Sequence, residues 1–136
     1  MQHNINLYIM LKDKKAYSSF SVNDTDKAFA FYKETLGLDI SKGDMGILEL
    51  HLSGNTNGAI IYPKPNHEPA TFTVLNFPVD DIEATVDWLI SKGITFEQYD
   101  MEYIKTDEKG IARGEKGPEM AWFKDPAGNI LAIQGK

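Results

Sequence analysis

The residues best suited to chemistry lie in one short stretch, "LELHL", from Leu48 to Leu52. Side chains alternate between the two faces of a strand, so Glu49 and His51 share one face and the leucines share the other. If the leucines pack on a core, Glu49 and His51 point away from it into a concave site. A carboxylate and an imidazole roughly 6–7 Å apart can anchor a polar ligand or act as an acid–base pair. The alternative is a solvated strand face, because such pairs often serve structure alone.

A second group of candidates flanks a predicted hairpin near the end of the chain. Asp125-Pro126-Ala127-Gly128 suits a type I turn between two short apolar runs. In the first run, Met120 and Trp122 share one face, and Phe72 comes from an earlier strand. Aromatic walls with few polar groups are typical of small-molecule pockets. The alternative, favoured for Phe72, is that these side chains fill an interface between two halves of the molecule. Polar side chains predicted on the same concave face are Ser19, Ser21 and Asn76.

Composition and charge exclude several classes of function. The chain has 136 residues, a formal net charge of −6 and no cysteine. An acidic chain with dispersed Lys and Arg does not present a nucleic-acid surface. Without cysteine there are neither disulfides nor thiolate sites. No apolar run is long enough to span a bilayer, and the N-terminal stretch lacks the pattern of a signal peptide. We therefore expect a cytoplasmic protein of one domain, 1–136, with neither nucleic-acid nor membrane partners.

Two segments that repeat one another predict the architecture. Residues 16–40 and 71–97 each begin with an extended, alternating run and continue with a helical pattern. Asn23 and Asp80 each stand three positions before a carboxylate, which is the spacing of a helix cap with an acidic first turn. The predicted helices lie near Asp24–Leu36 and Asp81–Lys92.

Each helical pattern is followed by further strand-like runs, so the chain is predicted to be βαβββ written twice. Module one spans about residues 16–63 and module two about 70–136. The link "KPNHEPA" contains His67, which we expect to be exposed. The least regular segment, 99–118, is predicted to hold a strand around Met101–Lys105 and then a polar loop. A repeated half-domain implies two modules that bury a face against each other.

This pattern resembles the vicinal oxygen chelate superfamily, which includes glyoxalase I, extradiol dioxygenases, and fosfomycin- and bleomycin-resistance proteins. The resemblance is carried by "SVNDTDKAFAFYKETLGL" in module one and by "FPVDDIEATVDWLISKGI" and "WFKDPAGNILAI" in module two. It implies an α+β fold in which two tandem βαβββ modules form a cupped mixed sheet, with helices on the outer face. The ligand or metal then sits in the cup. The resemblance also implies a homodimer, in which each cup takes its modules from one chain or from both.

Enzymes of this superfamily typically hold a divalent metal with four side chains, two from each module, and these are usually His, Gln or Glu. The resemblance puts the four positions at Tyr17, Ile61, Val74 and Ala132. Three of these residues offer no donor atom, and a tyrosine binds only as the phenolate, which is scarce at neutral pH. We therefore expect the family's metal site to be missing, and we expect no cofactor.

Three functions remain open from the sequence. The first is a metal-independent protein that binds a small organic molecule, aromatic or cationic, in its cup. The predicted ligand contacts are Tyr17, Glu49, His51, Phe72, Asn76, Met120 and Trp122. The second is a metal-dependent lyase or dioxygenase with unorthodox ligands, for which Glu49 and His51 come first. The third is a dimeric interaction protein without a ligand. We rank them in this order, because Lewis-acid catalysis needs a cation held in a defined geometry and the usual donors are absent.

Overall fold

The computed structural model describes residues 10–54, 57–114 and 117–136, and the remainder of the predicted domain 1–136 lies outside the described residues. The described chain forms two four-stranded mixed sheets with two helices. The α+β class and the tandem βαβββ arrangement predicted from the sequence are confirmed. Within the described part of the chain, neither helix combines the length and apolar character needed to cross a membrane.

The two modules have the same order of elements. Module one contains β1 (Ser18–Val22), α1 (Thr25–Ala30), β2 (Asp39–Lys42), β3 (Leu48–His51) and β4 (Ala59–Pro63). Module two contains β5 (Thr73–Pro78), α2 (Ile82–Ser91), β6 (Ile111–Ala112), β7 (Met120–Lys124) and β8 (Ile130–Gln134). The sheets have the orders β1–β4–β3–β2 and β5–β8–β7–β6. In each sheet the first pair is parallel and the other two are antiparallel.

Both helices begin at an aspartate cap. Asp24 and Asp81 each accept a hydrogen bond from the backbone N–H three residues further on, at 3.1 and 3.0 Å. Such a bond satisfies one of the free N–H groups of the first turn. The prediction that Asn23 and Asp80 are the caps was wrong by one position. The helix bounds predicted from the pattern lie within two residues of the observed elements when the π-helical turn after α1 is included.

A single π-helical turn, Phe31–Thr35, continues α1 and faces module two. Its first residue, Phe31, lies 6.4 Å from the ring of Phe123 on β7. Its second residue, Tyr32, is fully buried and donates a hydrogen bond from its hydroxyl group to Asp125 at 2.8 Å. Two consecutive aromatic residues of module one therefore contact the terminal hairpin of module two.

One apolar core is shared by the two modules. The helix-facing side of each sheet contributes to it, with Phe20 and Ile61 from module one and Phe123 and Leu131 from module two, all buried. The ring of Phe123 also packs edge-on against Phe96 at 5.4 Å. Burial of such side chains is the main source of stability in a domain of this size. The helix-facing sides of the two sheets therefore contribute to one continuous apolar core.

A buried polar cluster lies beside this core at the junction of the modules. Asp125 and Asn129, at the ends of the hairpin turn, are 5% and 1% exposed. The amide nitrogen of Asn129 donates to Asp125 at 3.1 Å and to the backbone oxygen of Ser21 at 2.8 Å. Burial, and then the nearby carboxylate of Asp125, raise the pKa of the Tyr32 phenol well above its ordinary value. The cluster thus connects β1 and the π-helical turn after α1 to the hairpin with satisfied hydrogen bonds.

The linker between the modules packs at the same junction. His67 is half-buried, and its Nε2 atom lies 2.9 Å from the backbone oxygen of Ala127. Because a carbonyl oxygen only accepts, Nε2 is the donor. The other ring nitrogen lies 2.7 Å from the hydroxyl group of Ser21. The expectation that His67 is exposed was wrong, because the linker runs against the terminal hairpin.

The irregular segment before β6 differs from the prediction. Residues 101–105 form a turn closed by one isolated bridge between Asp100 and Lys105, and no strand. The strand of this segment is β6, which pairs with β7 through Ile111 and Ala112. The sequence signal was misleading because Met101 and Tyr103 are apolar yet exposed.

Candidate functional site

Each sheet turns one face to the shared core and leaves the other open. The register of the strands identifies the residues of each open face. We refer to Ser19, Ser21, Ser41, Glu49, His51, Ile60 and Tyr62 as the open face of module one. We refer to Asn76, Met120, Trp122, Ala132 and Gln134 as the open face of module two.

The open face of module one is rich in polar side chains. Glu49 and His51 are both exposed on it, which is the face expected from strand alternation. The Nε2 atom of His51 lies 2.8 Å from the hydroxyl oxygen of Ser41 on the neighbouring strand. A carboxylate oxygen of Glu49 lies close to Gly43, 3.2 Å from the position that a Cβ atom there would take. His51 is thus oriented by a hydrogen bond, and Glu49 leans toward the loop after β2.

The open face of module two is more apolar. Asn76, Ala132 and Trp122 are successive neighbours across β5, β8 and β7. Ala132, between the other two, is fully buried, and Trp122 is half-buried. The Trp122 ring meets the ring of Tyr99 edge-on at 5.5 Å between centroids. Tyr99 was not predicted as a site residue, because it lies in the irregular segment where strand alternation gives no direction.

A groove of about 580 Å³ lies between the two modules, where the ends of β2 and β3 approach β5. Pockets for small organic molecules usually have about 300–1,000 Å³. Its polar side chains include Asp39, His51, Ser53 and Asn76. Its apolar lining includes Leu38, Leu52, Leu75, Phe77 and Pro78. The groove therefore combines a mainly apolar wall with a few polar groups from both modules.

The groove brings together two of the seven predicted ligand contacts, His51 and Asn76. It adds Asp39, which is the cross-strand partner of His51. The sequence could have indicated Asp39 only if the register of β2 against β3 had been known. The other predicted contacts lie outside the groove lining, and their role in binding stays a prediction. These residues are Tyr17, Glu49, Phe72, Met120 and Trp122.

A comparison with known proteins gives the family. A family model described as the Glyoxalase/Bleomycin resistance protein/Dioxygenase superfamily matches residues 16–133. The chain belongs to this superfamily. A relative from Bacillus subtilis (strain 168), the uncharacterized protein YraH, is 30% identical over 125 residues, which cover 82% of this chain and 90% of that protein.

Solved structures of superfamily proteins have the same fold. FosX, a genomically encoded fosfomycin resistance protein from Listeria monocytogenes, superposes with a TM-score of 0.67 at 10% identity, covering 91% of this chain and 93% of FosX. TnmS3, an antibiotic binding protein from Streptomyces sp. CB03234, superposes with a TM-score of 0.59 at 23% identity, covering 90% of this chain and 97% of TnmS3. At these identities the likeness shows the fold alone.

One of the four positions at which superfamily enzymes hold a metal was assigned wrongly from the sequence. Ile61 is fully buried and pairs with Phe20 and Leu48 on the core side of the sheet. The neighbouring Ile60 lies on the open face and matches Ala132 of module two. The chain between paired residues of β3 and β4 differs in length by one residue from the chain between the matching pair of β7 and β8. An alignment of the two modules without a gap therefore exchanged the core-facing and open-face positions of the last strand of module one.

The corrected positions do not fit a divalent metal. Ile60, Val74 and Ala132 carry only alkyl side chains, which have no lone pair to donate. Tyr17, the fourth position, is 63% exposed. Elsewhere in the described ranges of the chain, no three His, Asp or Glu side chains converge in an arrangement that could hold a metal ion. The four family positions of this superfamily member thus offer no donor set for the metal, and we derive no chemical step through one.

Proposed function

We propose that this protein binds a small organic molecule in the groove between its modules and does so without the superfamily's divalent metal. The observation that carries the proposal is the groove itself, in which Asp39, His51 and Asn76 line an otherwise apolar wall. A few convergent polar groups in an apolar concavity fix the orientation of a ligand and give specificity. TnmS3 has the same fold and is described as an antibiotic binding protein, which supports ligand binding as a function for this architecture.

The charges favour a cationic ligand. The chain carries a net charge of −6, and Asp39 places a carboxylate in the groove. Glu49 lies two residues from His51 on the same open face, outside the groove lining, and its carboxylate leans toward Gly43. A concave acidic site raises the local concentration of cations and repels anions. We therefore propose a cation in preference to a phosphate or carboxylate.

The aromatic residues favour a flat ligand. The rings of Trp122 and Tyr99 pack edge-on. Trp122 lies on the same open face as the groove residue Asn76, and only strand β8 lies between them. Stacking or cation–π contact with such a ring contributes on the order of 0.5–2 kcal/mol. The proposed ligand is thus a planar organic cation that spans the groove and reaches toward Trp122.

We also propose a homodimer. Tyr17 and Phe72 are 63% and 68% exposed, and each lies just before the edge strand of its sheet. Large exposed aromatic residues close to an open sheet face are characteristic of surfaces that bind a partner. A second copy would cover them and enclose the open faces. A cytoplasmic location is part of the proposal and rests on the absence of cysteine.

The alternatives make different demands on the same residues. A metal-dependent lyase or dioxygenase requires ligands other than the four family positions, beginning with Glu49 and His51. A dimeric interaction protein without a ligand requires the exposed aromatic residues but leaves the groove unused. Binding of a planar cation in the groove without added divalent metal separates the first function from both.

Calorimetric titration with three compounds that share one ring system tests the proposal. They are 9-aminoacridine (a cation at neutral pH), acridine (neutral) and acridine-9-carboxylate (an anion). We expect the cation to bind most tightly and the anion most weakly. Asp39→Asn should weaken the cation about two- to five-fold and leave neutral acridine unchanged, because a partly exposed ion pair contributes at most about 1 kcal/mol.

Asp80→Asn is the matched control, because Asp80 is 94% exposed, its ion pair among the described residues is with Lys136 at 3.2 Å, and the substitution changes the net charge equally. It should leave all three affinities unchanged. Tightest binding of the anion, or equal effects of Asp39→Asn and Asp80→Asn on the cation, would contradict a ligand site in the groove.

A further inference from the structure

A second cavity lies on the helix-facing side of module two, toward the core rather than on the open faces. It has a volume of about 170 Å³. Module one contributes Leu36 and Leu38 to its wall. The side chains from module two are Phe77, Val79, Thr85, Trp88, Leu89, Phe123 and Ile133. This cavity therefore occurs where the two modules meet.

The wall of this cavity offers nothing to a polar ligand. Among the described residues that line it, Thr85 has the one polar side chain apart from the indole of Trp88. The Thr85 hydroxyl group already donates to the backbone oxygen of Asp81 at 2.9 Å. Water that enters this solvent-accessible cavity finds few hydrogen-bond partners on its wall, so an apolar molecule displaces it favourably. The lining side chains of such a cavity face solvent and lack dispersion contacts with close-packed atoms. An apolar occupant would supply those contacts.

The size and position of the cavity define the occupant. An apolar cavity of about 150 Å³ in another protein binds benzene, so about 170 Å³ suits one small aromatic ring. A helix or peptide segment is too large for it. Trp88 is 46% exposed, so solvent and small molecules reach the cavity beside the indole ring. Leu89 and Ile133 form buried parts of its wall.

We propose that this cavity is a second binding site, which takes one small uncharged apolar molecule of the size of benzene or toluene. The occupant contacts Leu36 of module one together with Leu89 and Ile133 of module two. Binding therefore stabilises the arrangement in which the modules are docked. This site adjoins the groove proposed for the cationic ligand, because Leu38 and Phe77 line both, but it uses none of the polar side chains of the groove.

Thermal unfolding of the full chain in sealed samples with increasing toluene tests the second site. A ligand that binds only the folded state raises the melting temperature in a saturable way. For a chain of this length we expect a rise of about 4 °C at ten times Kd. The emission of Trp88 should shift over the same range of concentrations. Absence of a saturable rise would overturn the proposal.

Two variants that fill the cavity test whether toluene raises the melting temperature by binding there. Val79→Phe and Thr85→Leu add apolar volume at residues that line the cavity and not the groove. Each should abolish the rise caused by toluene, and if one variant fails to fold the other decides the test. Ile90→Phe is the matched control, because it adds the same kind of bulk to α2 at a residue that is 43% exposed and outside the cavity wall.

The control should keep the full rise in melting temperature. Asn76→Ala should also keep it, which separates this site from the groove. A rise that persists in both filled variants, or that disappears equally in Ile90→Phe or in Asn76→Ala, would show that toluene binds elsewhere and overturn the proposal.

Discussion

Two neighbouring residues of β7, Trp122 and Phe123, lie on opposite faces of the sheet. Phe123 is buried and contacts rings from α1's π-helical turn and from Phe96, so it belongs to the core that both modules share. Trp122, one position earlier, turns to the open face and is only half-buried, with Tyr99 as its ring partner. One face of β7 therefore packs in the core and stabilises the fold, whereas its other face is available to a ligand.

The largest expected effect comes from truncating these two residues in turn. Phe123→Ala should lower the free energy of unfolding by about 3–5 kcal/mol, because it opens a cavity in a packed aromatic cluster. Trp122→Ala should cost less than half as much, since the indole is partly solvated and its loss leaves no closed void. Urea denaturation followed by circular dichroism measures both. Equal costs would show that the open face is part of the core.

A smaller effect is expected at the polar cluster of the module junction. Tyr32→Phe removes the hydrogen bond to Asp125 and should cost about 1–3 kcal/mol at neutral pH. The pKa of Tyr32 is raised in the folded state by burial and by Asp125, so the unfolded chain loses this proton first. The contribution is complete below the unfolded pKa of about 10 and is lost as the pH rises above it.

The pH dependence of the free energy of unfolding tests whether Tyr32 is buried as a neutral phenol. Above pH of about 10 the stability of the wild-type protein should fall by up to about 1.4 kcal/mol per pH unit more than that of Tyr32→Phe. Chemical denaturation at several alkaline pH values measures the difference. Parallel pH profiles for the two proteins would contradict the proposed burial of a neutral Tyr32.

The smallest effect compares two histidines, one on each side of the molecule. His67 bonds Ser21 and Ala127 across the junction, so His67→Ala should cost about 1–2 kcal/mol. His51 is exposed, and within the described part of the chain its side chain bonds Ser41 alone, so His51→Ala should change stability by less than about 0.5 kcal/mol. Thermal unfolding of both variants checks this. If His51→Ala were the more damaging change, the open face of module one would have a structural role.

Local sequence patterns predicted the helices and the terminal turn. They gave wrong positions where the environment of a residue depends on contacts with residues distant in sequence. The Asp-Pro-Ala-Gly turn and the two helices follow from residues within a few positions of one another, and they formed where expected. The face of Ile61 depended on the length of a loop in the other module. The burial of His67 depended on Ala127, and the place of Asp39 depended on a strand register.

The candidate site was harder to predict for the same reason. Strand alternation placed Glu49 and His51 on an open face, but alternation says nothing about which surfaces meet across modules. The groove joins His51 to Asn76, two residues that are distant in sequence, and leaves Trp122 on a neighbouring surface. Contacts between the modules, such as Phe31 with Phe123 and Tyr32 with Asp125, decide that arrangement.

The most direct test of ligand binding in the groove is a titration of isotope-labelled protein with 9-aminoacridine, followed through the backbone amide resonances. The groove proposal predicts that the largest shift changes occur in two segments that face each other, residues 37–39 with 51–53 in module one and residues 75–77 in module two. Largest changes around Trp88 and α2, or changes scattered over the surface without saturation, would contradict it.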